Sequence, residues 1–268
     1  MQRRAFAAAL TAAVAAPAVL GATPAQASPL TSPQASPQHG GPVGLSRRMV
    51  AALAAELDDK ATAKTLVPLI EDVGFDWHPE TAPLKKFDFI VAYAFGNRLP
   101  AGGGDPTKVL AEPGPVNEEL ADTIARIRAA RRDLPVYAQW EIARRLESKY
   151  GMTDVTSIEP EIAADGTITY LSTDGVAAQV VDHRKQAPGG VGTACVVGFR
   201  DHHKRCVQTT RDRAMPAYAP AGFAMPHTYD LESGQAWTRR RDLYLVHDML
   251  AQWTVLRAKV IAEAYPNG

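Results

Sequence analysis

The sequence predicts a three-layer α/β fold, with a mostly parallel sheet and a single domain. Short apolar runs rich in β-branched residues alternate along the chain with segments whose apolar residues recur at helical spacing. The clearest of these runs is continuously apolar, as expected of a strand that is covered by helices on both faces. No internal repeat is visible, so the alternation itself predicts the architecture.

The first strand–helix unit is the best defined. FDFIVAYAF, residues 87–95, is a continuous apolar run, and the loop GNRLPAGGGDP separates it from the segment VNEELADTIARIRAARR. Leu120, Ile124 and Ile127 recur there at helical spacing. LPVYAQ, residues 134–139, and WEIARRLESKYG repeat the pattern in shorter form, and Gly151 is the expected C-terminal stop of the helix.

Two further units follow. The third is less regular and consists of VTSIE, a turn at Asp165 and Gly166, TITYL, and the helical segment TDGVAAQVVDHRKQ. In the fourth, GTACVVGF predicts a buried strand and DHHKRCVQTTRDR a helix. PAYAP is a candidate last strand, and RRRDLYLVHDMLAQWTVLRAKVIAEA predicts a long amphipathic helix.

The first residues predict export. MQRRAFAAALTAAVAAPAVLGATPAQAS combines Arg3 and Arg4 with a weakly apolar stretch and a small-x-small cleavage signal at residues 25–27. The paired arginines favour a twin-arginine signal over ordinary secretion, and a retained anchor is the alternative. We therefore expect an export signal at 1–27, a flexible linker at 28–44 and a globular domain at 45–268. The expected location is secreted or in the cell envelope, with no stable membrane insertion after cleavage.

The charge balance argues against a nucleic-acid partner. The chain has 29 basic and 29 acidic residues, and removal of the signal takes away two arginines and no acidic residue. The mature chain therefore lacks the global positive field on which non-specific binding to nucleic acid depends.

Candidate site residues follow the predicted strands. Ligands of open α/β sheets bind beyond the carboxyl ends of the strands, where polar residues from distant segments converge. The sequence places these candidate ligand-binding residues there: Gly96, Asn97, Arg98, Thr173, Asp174 and Arg205. Glu141 and His202 are the candidate catalytic residues, as carriers of a proton, and Glu159 is a weaker carboxylate candidate. A glutamate in the first turn of a helix is also favoured by the helix dipole without any catalytic role.

The stretch GFRDHHKRC, residues 198–206, allows three interpretations. His202, His203 and Cys206 could ligate zinc because residues four apart share one helix face. An anion site explains the stretch better, because a helix N-terminus, Arg205 and His202 would together hold a phosphate or a carboxylate. The neighbouring basic residues oppose a bound cation, so no metal is predicted: Arg200, Lys204 and Arg205. A solvated basic turn is the third interpretation.

Two further residue sets receive structural interpretations. Cys195 in the fourth strand and Cys206 in the returning helix are expected to lie on the order of 10 Å apart, too far for a disulfide. His247 shares a helical face with Leu243 and Leu250 and is expected to be a hydrogen-bonded core histidine.

The order of these motifs resembles the SanA/YdcF-like bacterial envelope family, over most of residues 87–253. The resemblance is carried by GNRLPAGGG, by AQWE with Glu141, by STDG with Thr173 and Asp174, and by HHKR with His202 and Arg205. It implies a Rossmann-like α/β domain at the envelope, and S-adenosylmethionine as a cofactor that is bound within the group. The chain departs from the family pattern at Gln139 and Trp140, where a Gly-Gly pair is usual, and at Gly175, where an asparagine is usual.

Two hypotheses about function follow. The first is an exported envelope-associated protein that handles a phosphate- or carboxylate-bearing small molecule, as a transferase or hydrolase of cell-envelope metabolism. The second is a non-catalytic envelope module that binds a ligand or partner. The chain has no GxSxG nucleophile motif, and polar residues at strand ends suit binding as well as catalysis.

Overall fold

A parallel sheet forms the centre of the protein. The computed structural model describes residues 42–267. Its strands are β1 (Thr81–Ala82), β2 (Phe89–Ala92), β3 (Val136–Gln139), β4 (Val155–Ile158), β5 (Glu161–Ile162), β6 (Ile168–Thr169), β7 (Ala194–Val197) and β8 (Ala217–Pro220). The main sheet has the order β1-β8-β7-β2-β3-β4, and each of its pairings is parallel.

Helices cover both faces of this sheet. They are α1 (Pro42–Leu57), α2 (Lys60–Phe75), α3 (Pro115–Ala130), α4 (Trp140–Tyr150), α5 (Thr173–Gln186), α6 (His203–Asp212) and α7 (Arg241–Ala264). Short 3₁₀ turns lie at residues 84–86, 200–202 and 236–238. The three-layer, Rossmann-like α/β fold expected from the sequence is therefore confirmed.

The sheet has a hydrophobic core on each face, because successive side chains of a strand point to opposite faces. Ile90 and Ala92 of β2 belong to the core on the side of α3 and α4. Phe89 and Val91 belong to the core on the side of α5 and α6. Every residue of β2 is buried, which explains why its sequence is continuously apolar. Burial of each large apolar side chain of this kind contributes about 1.5–3 kcal/mol.

The strand order creates a crevice at the carboxyl end of β2. The chain runs outward from β2 to β3 and β4, and then returns to place β7 on the other side of β2. Such a reversal leaves room between the loops that leave the neighbouring strands, which is where open α/β sheets bind ligands.

Several predicted elements differ in extent from the observed ones. The predicted strand 87–95 is a strand only over residues 89–92. The backbone N–H of Tyr93 still donates to the Val197 carbonyl oxygen at 3.0 Å, and the buried residue Phe95 lies beyond the sheet. TITYL contributes only Ile168–Thr169, which pairs with β5 in a separate antiparallel ribbon and not in the main sheet. The predicted last strand and the long final helix are observed as β8 and α7.

The first two helices are not predicted by the sequence patterns above. Helix α2 begins after Asp59, whose Oδ1 accepts hydrogen bonds from the backbone N–H groups of Ala61 at 2.9 Å and Thr62 at 3.0 Å. Helix α1 begins at Pro42, inside the segment 28–44 for which a flexible linker is expected. The rest of that segment and the expected export signal lie outside the described residues. Between residues 42 and 267, no helix is both long enough and apolar enough to span a bilayer.

Candidate functional site

A cleft of about 230 Å³ lies at the carboxyl ends of the central strands. Its walls are the loop that follows β2, the first turns of α4 and α5, the start of α6, and the 3₁₀ turn 236–238 with the adjoining part of α7. Five residues proposed from the sequence line this cleft: Gly96, Glu141, Thr173, His202 and Arg205. The strand-exit argument thus brings together residues that are more than 100 positions apart in the chain.

Glu141 presents a buried carboxyl group to the cleft. The residue is 2% exposed, and its Oε2 atom has no hydrogen-bond partner. Burial raises the pKa of Glu141 to about 8, although hydrogen bonds from its own backbone N–H and from the Asn97 side chain act in the opposite direction. At neutral pH the carboxyl group is therefore protonated and can donate a hydrogen bond.

His202 lies between a hydroxyl group and a carboxylate. Its Nε2 is 3.4 Å from Oγ1 of Thr173, and its Nδ1 is 3.5 Å from Oδ1 of Asp248. Burial is the main reason why the pKa of His202 falls to about 4, and the nearby positive charge of Arg205 adds to the effect. His202 is therefore neutral at pH 7 and can accept a proton.

Asp248 accepts several hydrogen bonds beneath the cleft. Its carboxylate accepts from Arg205 Nε at 2.6 Å, from the Tyr244 hydroxyl at 3.0 Å and from Gln252 Nε2 at 2.8 Å. Burial alone would raise the pKa of Asp248, but the nearby imidazole of His202 and the hydrogen bond and charge of Arg205 hold it well below its ordinary value. Asp248 is therefore an anion at neutral pH, and its charge is paired.

Most of the N–H groups of Arg205 are already hydrogen-bonded to other residues of the protein. Besides Asp248, its guanidinium donates to Thr173 Oγ1 at 3.0 Å and to the Tyr244 hydroxyl at 3.2 Å. These bonds use three of the five N–H groups that a guanidinium carries. Arg205 thus lines the cleft, as the sequence predicts, but Asp248 compensates its charge.

The rest of the stretch 198–206 is structural. Asp201, His203 and Lys204 are each 4–5% exposed, so the interpretation as a solvated turn is wrong. His203 Nε2 is hydrogen-bonded to the Val196 carbonyl oxygen at 2.8 Å. Lys204 donates to Oδ1 of Asp72 at 2.9 Å. Among residues 42–267, no three histidine, cysteine, aspartate or glutamate side chains are placed to hold a metal ion.

Two predicted ligand-binding residues lie outside the cleft. Arg98 forms ion pairs with Asp230 and Glu232, both at 2.9 Å, because the loop after β2 turns it toward the segment 230–234. Asp174 is exposed and pairs with Arg213, since the helical turn carries its side chain away from that of Thr173. Arg98 therefore does not join Glu141, Thr173 and His202 in the cleft.

Two other predicted residues lie behind or beside the cleft. Asn97 is 7% exposed, and its side chain is hydrogen-bonded to Glu141. Glu159 accepts a hydrogen bond from Ser157 at 2.7 Å and lines a separate surface cavity.

Helix α7 contributes residues to the site that were not predicted from the sequence. Tyr244, Asp248 and Gln252 are the buried residues of this helix, and their spacing of four is a signal that could have identified them. His247 was expected in the core, but Leu243 and Leu250 on the same helical face are exposed. His247 is instead half-buried and lines the cleft, where its ring stacks on Trp237 with centroids 5.2 Å apart.

A glycine allows the 3₁₀ turn to close one wall of the cleft. Gly96 has φ +66°, and a Cβ atom there would lie 2.9 Å from both Ser233 Oγ and Thr238 Oγ1. These two hydroxyl groups are hydrogen-bonded to each other at 2.7 Å. The absence of a side chain at residue 96 therefore allows the segment 233–238 to pack against the exit of β2.

The cleft offers no partner for the sulfonium cation of S-adenosylmethionine, because Asp248 is paired with Arg205 and the Glu141 carboxyl group is protonated at neutral pH.

Comparisons of the chain with protein-family models, with curated proteins and with solved structures found no match. The likeness to the SanA/YdcF-like family therefore consists of the short motifs quoted above. Seven residues of these motifs line the cleft: Gly96, Gln139, Glu141, Ser172, Thr173, His202 and Arg205.

Proposed function

We propose that the protein is an exported, envelope-associated enzyme that acts on a small phosphate- or carboxylate-bearing molecule in this cleft, as a hydrolase or transferase. The unpartnered Oε2 atom of Glu141 carries the proposal. A buried polar atom without a partner costs about 1–3 kcal/mol. A ligand oxygen that accepts a hydrogen bond from this carboxyl group would recover that energy.

The protonation states of Glu141 and His202 support catalysis. Burial and neighbouring charges raise the pKa of the carboxyl group to about 8 and lower that of the imidazole to about 4. At neutral pH the carboxyl group thus carries a proton to give, and the imidazole can take one. Pairs of groups whose environments separate their pKa values in this way are typical of general acid–base sites.

The electrostatics of the cleft favour an anionic ligand. Helices α4 and α5 both begin at the cleft, and a helix N-terminus carries a partial positive charge. Asp248, the ionised carboxylate beneath the cleft, is paired with Arg205. The expected export signal would place this chemistry outside the cytoplasmic membrane.

The test measures binding and turnover together. Thermal shift with inorganic phosphate and with acetate detects binding, and p-nitrophenyl phosphate and p-nitrophenyl acetate detect turnover. We expect turnover to fall by on the order of 10²-fold or more in Glu141→Gln and in His202→Gln. Glu147→Gln, on the exposed side of α4, and His183→Gln, on the exposed side of α5, are the matched controls and should retain activity.

Two results separate the alternatives. Stabilisation by either anion without turnover of either ester would favour the non-catalytic binding module. Turnover that is equally fast in Glu141→Gln, His202→Gln and the control variants would remove the acid–base assignment.

A further inference from the structure

Thr173 holds its hydroxyl group inside the cleft and not over the helix terminus. The N-cap of α5 is Ser172, whose Oγ accepts the backbone N–H of Gly175 at 3.1 Å. Because Ser172 caps the helix, the Thr173 hydroxyl is free of the role that threonine usually has at a helix start. Its contacts are instead the guanidinium of Arg205 at 3.0 Å and Nε2 of His202 at 3.4 Å.

The donors and acceptors around Thr173 fit a single direction of hydrogen bonding. A guanidinium only donates, so the Thr173 oxygen accepts from Arg205 and its proton points to Nε2 of His202. Nδ1 of His202 has no hydrogen-bond partner and lies 3.5 Å from Oδ1 of Asp248. An ionised carboxylate only accepts, so the tautomer of the neutral imidazole that fits this neighbour carries its proton on Nδ1. The free lone pair of Nε2 therefore faces the hydroxyl group.

We infer that Thr173 is a nucleophile, that His202 is its base and Asp248 the orienting carboxylate, and that the substrate is a small carboxylic ester. This inference rests on the proposed function and specifies its substrate class. The order hydroxyl, imidazole, carboxylate is the arrangement that activates a serine or threonine in unrelated folds. Separations of 3.4 and 3.5 Å match the looser contacts of such groups before substrate is bound.

The reaction proceeds in two balanced steps. Oγ1 of Thr173 attacks the carbonyl carbon of the ester while its proton passes to Nε2 of His202. The carbon–oxygen bond to the alcohol then breaks, and the leaving oxygen takes that proton. In the second step water gives a proton to Nε2 and its oxygen attacks the acyl carbon. The bond to Oγ1 breaks, and Thr173 recovers the proton from His202.

Two neighbours assist this chemistry. The Arg205 N–H group that contacts Oγ1 orients the hydroxyl group so that its proton faces Nε2 of His202. Protonated Glu141 lines the same cleft and can donate to a substrate oxygen. Because Asp248 compensates Arg205, no unpaired guanidinium faces the reacting group, which favours an uncharged ester there. The N-termini of α4 and α5 remain available to an anionic part of the same molecule.

The test is acyl trapping with p-nitrophenyl acetate. The purified protein is mixed with the ester, quenched in acid and mapped by peptide mass spectrometry. We expect a burst of p-nitrophenolate and one acetyl group on the peptide that contains Thr173. Thr173→Ala should lose the acetyl group and at least about 10³-fold of the turnover, since loss of a nucleophile is at least that severe in related sites. Thr173→Ser retains the hydroxyl group and should be acetylated at residue 173.

The control and the contrary outcomes are distinct. Thr65→Ala removes an exposed helical hydroxyl group on α2 and should behave as wild type. Turnover that depends on His202 but persists in Thr173→Ala would mean that water is the nucleophile, which overturns this inference and leaves the proposed function standing. Wild-type protein that binds acetate but is never acetylated also overturns the inference. Absence of both binding and turnover contradicts the proposed function itself.

Discussion

Arg205 on α6 and Asp248 on α7 form an ion pair beneath the cleft, with Nε and Oδ1 2.6 Å apart and the aspartate side chain 1% exposed. The pair joins the helix that follows β7 to the long C-terminal helix. Both residues also contact a group at the cleft, since Arg205 donates to Thr173 and Asp248 faces His202. One buried pair thus connects the packing of α7 with the geometry of the site.

The first prediction concerns this pair. Asp248→Leu leaves the Arg205 cation buried without its partner and should lower the free energy of unfolding by about 3–5 kcal/mol. The double variant Arg205→Met/Asp248→Leu removes both charges and should be less destabilised than the single variant. Urea unfolding at pH 7 measures both values. Asp242→Ala breaks the exposed pair with Arg240 and should cost at most about 1 kcal/mol. A double variant as unstable as Asp248→Leu would show that the charges are not coupled.

The second prediction concerns the pH dependence of stability. Glu141 has an ordinary pKa of 4.5 when unfolded and a pKa of about 8 when folded, because the folded protein buries it. Between those values the folded state holds more protons than the unfolded state, so stability falls as pH rises, by up to roughly 1.36 kcal/mol per pH unit. The contribution is complete below pH 4.5 and lost above about pH 8.

Glu141→Gln tests this effect because glutamine has nearly the same shape and does not titrate. Relative to wild type, the variant should gain stability steadily from pH 5 to pH 8 in urea unfolding. Glu147→Gln, at an exposed position of the same helix, should follow wild type throughout. Parallel curves for wild type and Glu141→Gln would mean that Glu141 ionises normally in the folded protein.

The third prediction compares two glycines with the same backbone conformation. Gly96 has φ +66° and Gly151 has φ +64°, so alanine at either position is strained by about 1–2 kcal/mol. At residue 96 the new methyl group would also lie 2.9 Å from two hydroxyl oxygens, whereas at residue 151 nothing lies within 4 Å. Gly96→Ala should therefore be less stable than Gly151→Ala by a further 1–3 kcal/mol or so. Equal melting temperatures for the two variants would contradict the close approach at Gly96.

The fourth prediction concerns the thiols. Cys195 and Cys206 are both free and buried, which confirms the expectation that they are unpaired. Cys195 belongs to the core on one face of the sheet and Cys206 to the core on the other, so the sheet separates their sulfur atoms. Burial raises the pKa of Cys195 to about 12, and that of Cys206 well above its ordinary value.

Ellman's reagent measures the outcome. We expect no fast reaction with the folded protein and two thiols per chain in urea without reductant, because a buried protonated thiol is a poor nucleophile. Fewer than two thiols in unfolded monomer would contradict the assignment of the two side chains to opposite cores.

The sheet and the position of the cleft could be predicted from the sequence because both depend on local patterns. The apolar run at residues 87–95 and the helical spacing of Leu120, Ile124 and Ile127 are properties of short segments. In a parallel sheet all carboxyl ends lie at one edge, so Glu141 after β3 and His202 after β7 could be expected together without any knowledge of strand order. Thr173 reaches the same cleft by another route, because the antiparallel ribbon of β5 and β6 lies between β4 and the start of α5.

Two kinds of feature could not be predicted from local sequence patterns. The direction of a side chain in a loop depends on contacts made by distant residues, which is why Arg98 turns toward Asp230 and leaves the cleft. The partner of a buried charge also depends on tertiary packing. Asp248 follows Arg205 by 43 residues in the sequence, and only the docking of α7 brings the two together.

The pairing of β2 with β7 also has a consequence for the order in which the protein folds. Phe89 pairs with Ala194, so this central ladder closes across the loops, strands and helices of more than 100 intervening residues. Contacts between such distant segments form slowly, because the entropy of closing the chain is lost before the contacts stabilise it. Since α6 follows β7 and carries Arg205, the hydroxyl of Thr173 acquires its partners only after this late step. Ester turnover should therefore return on refolding later than helical circular dichroism does.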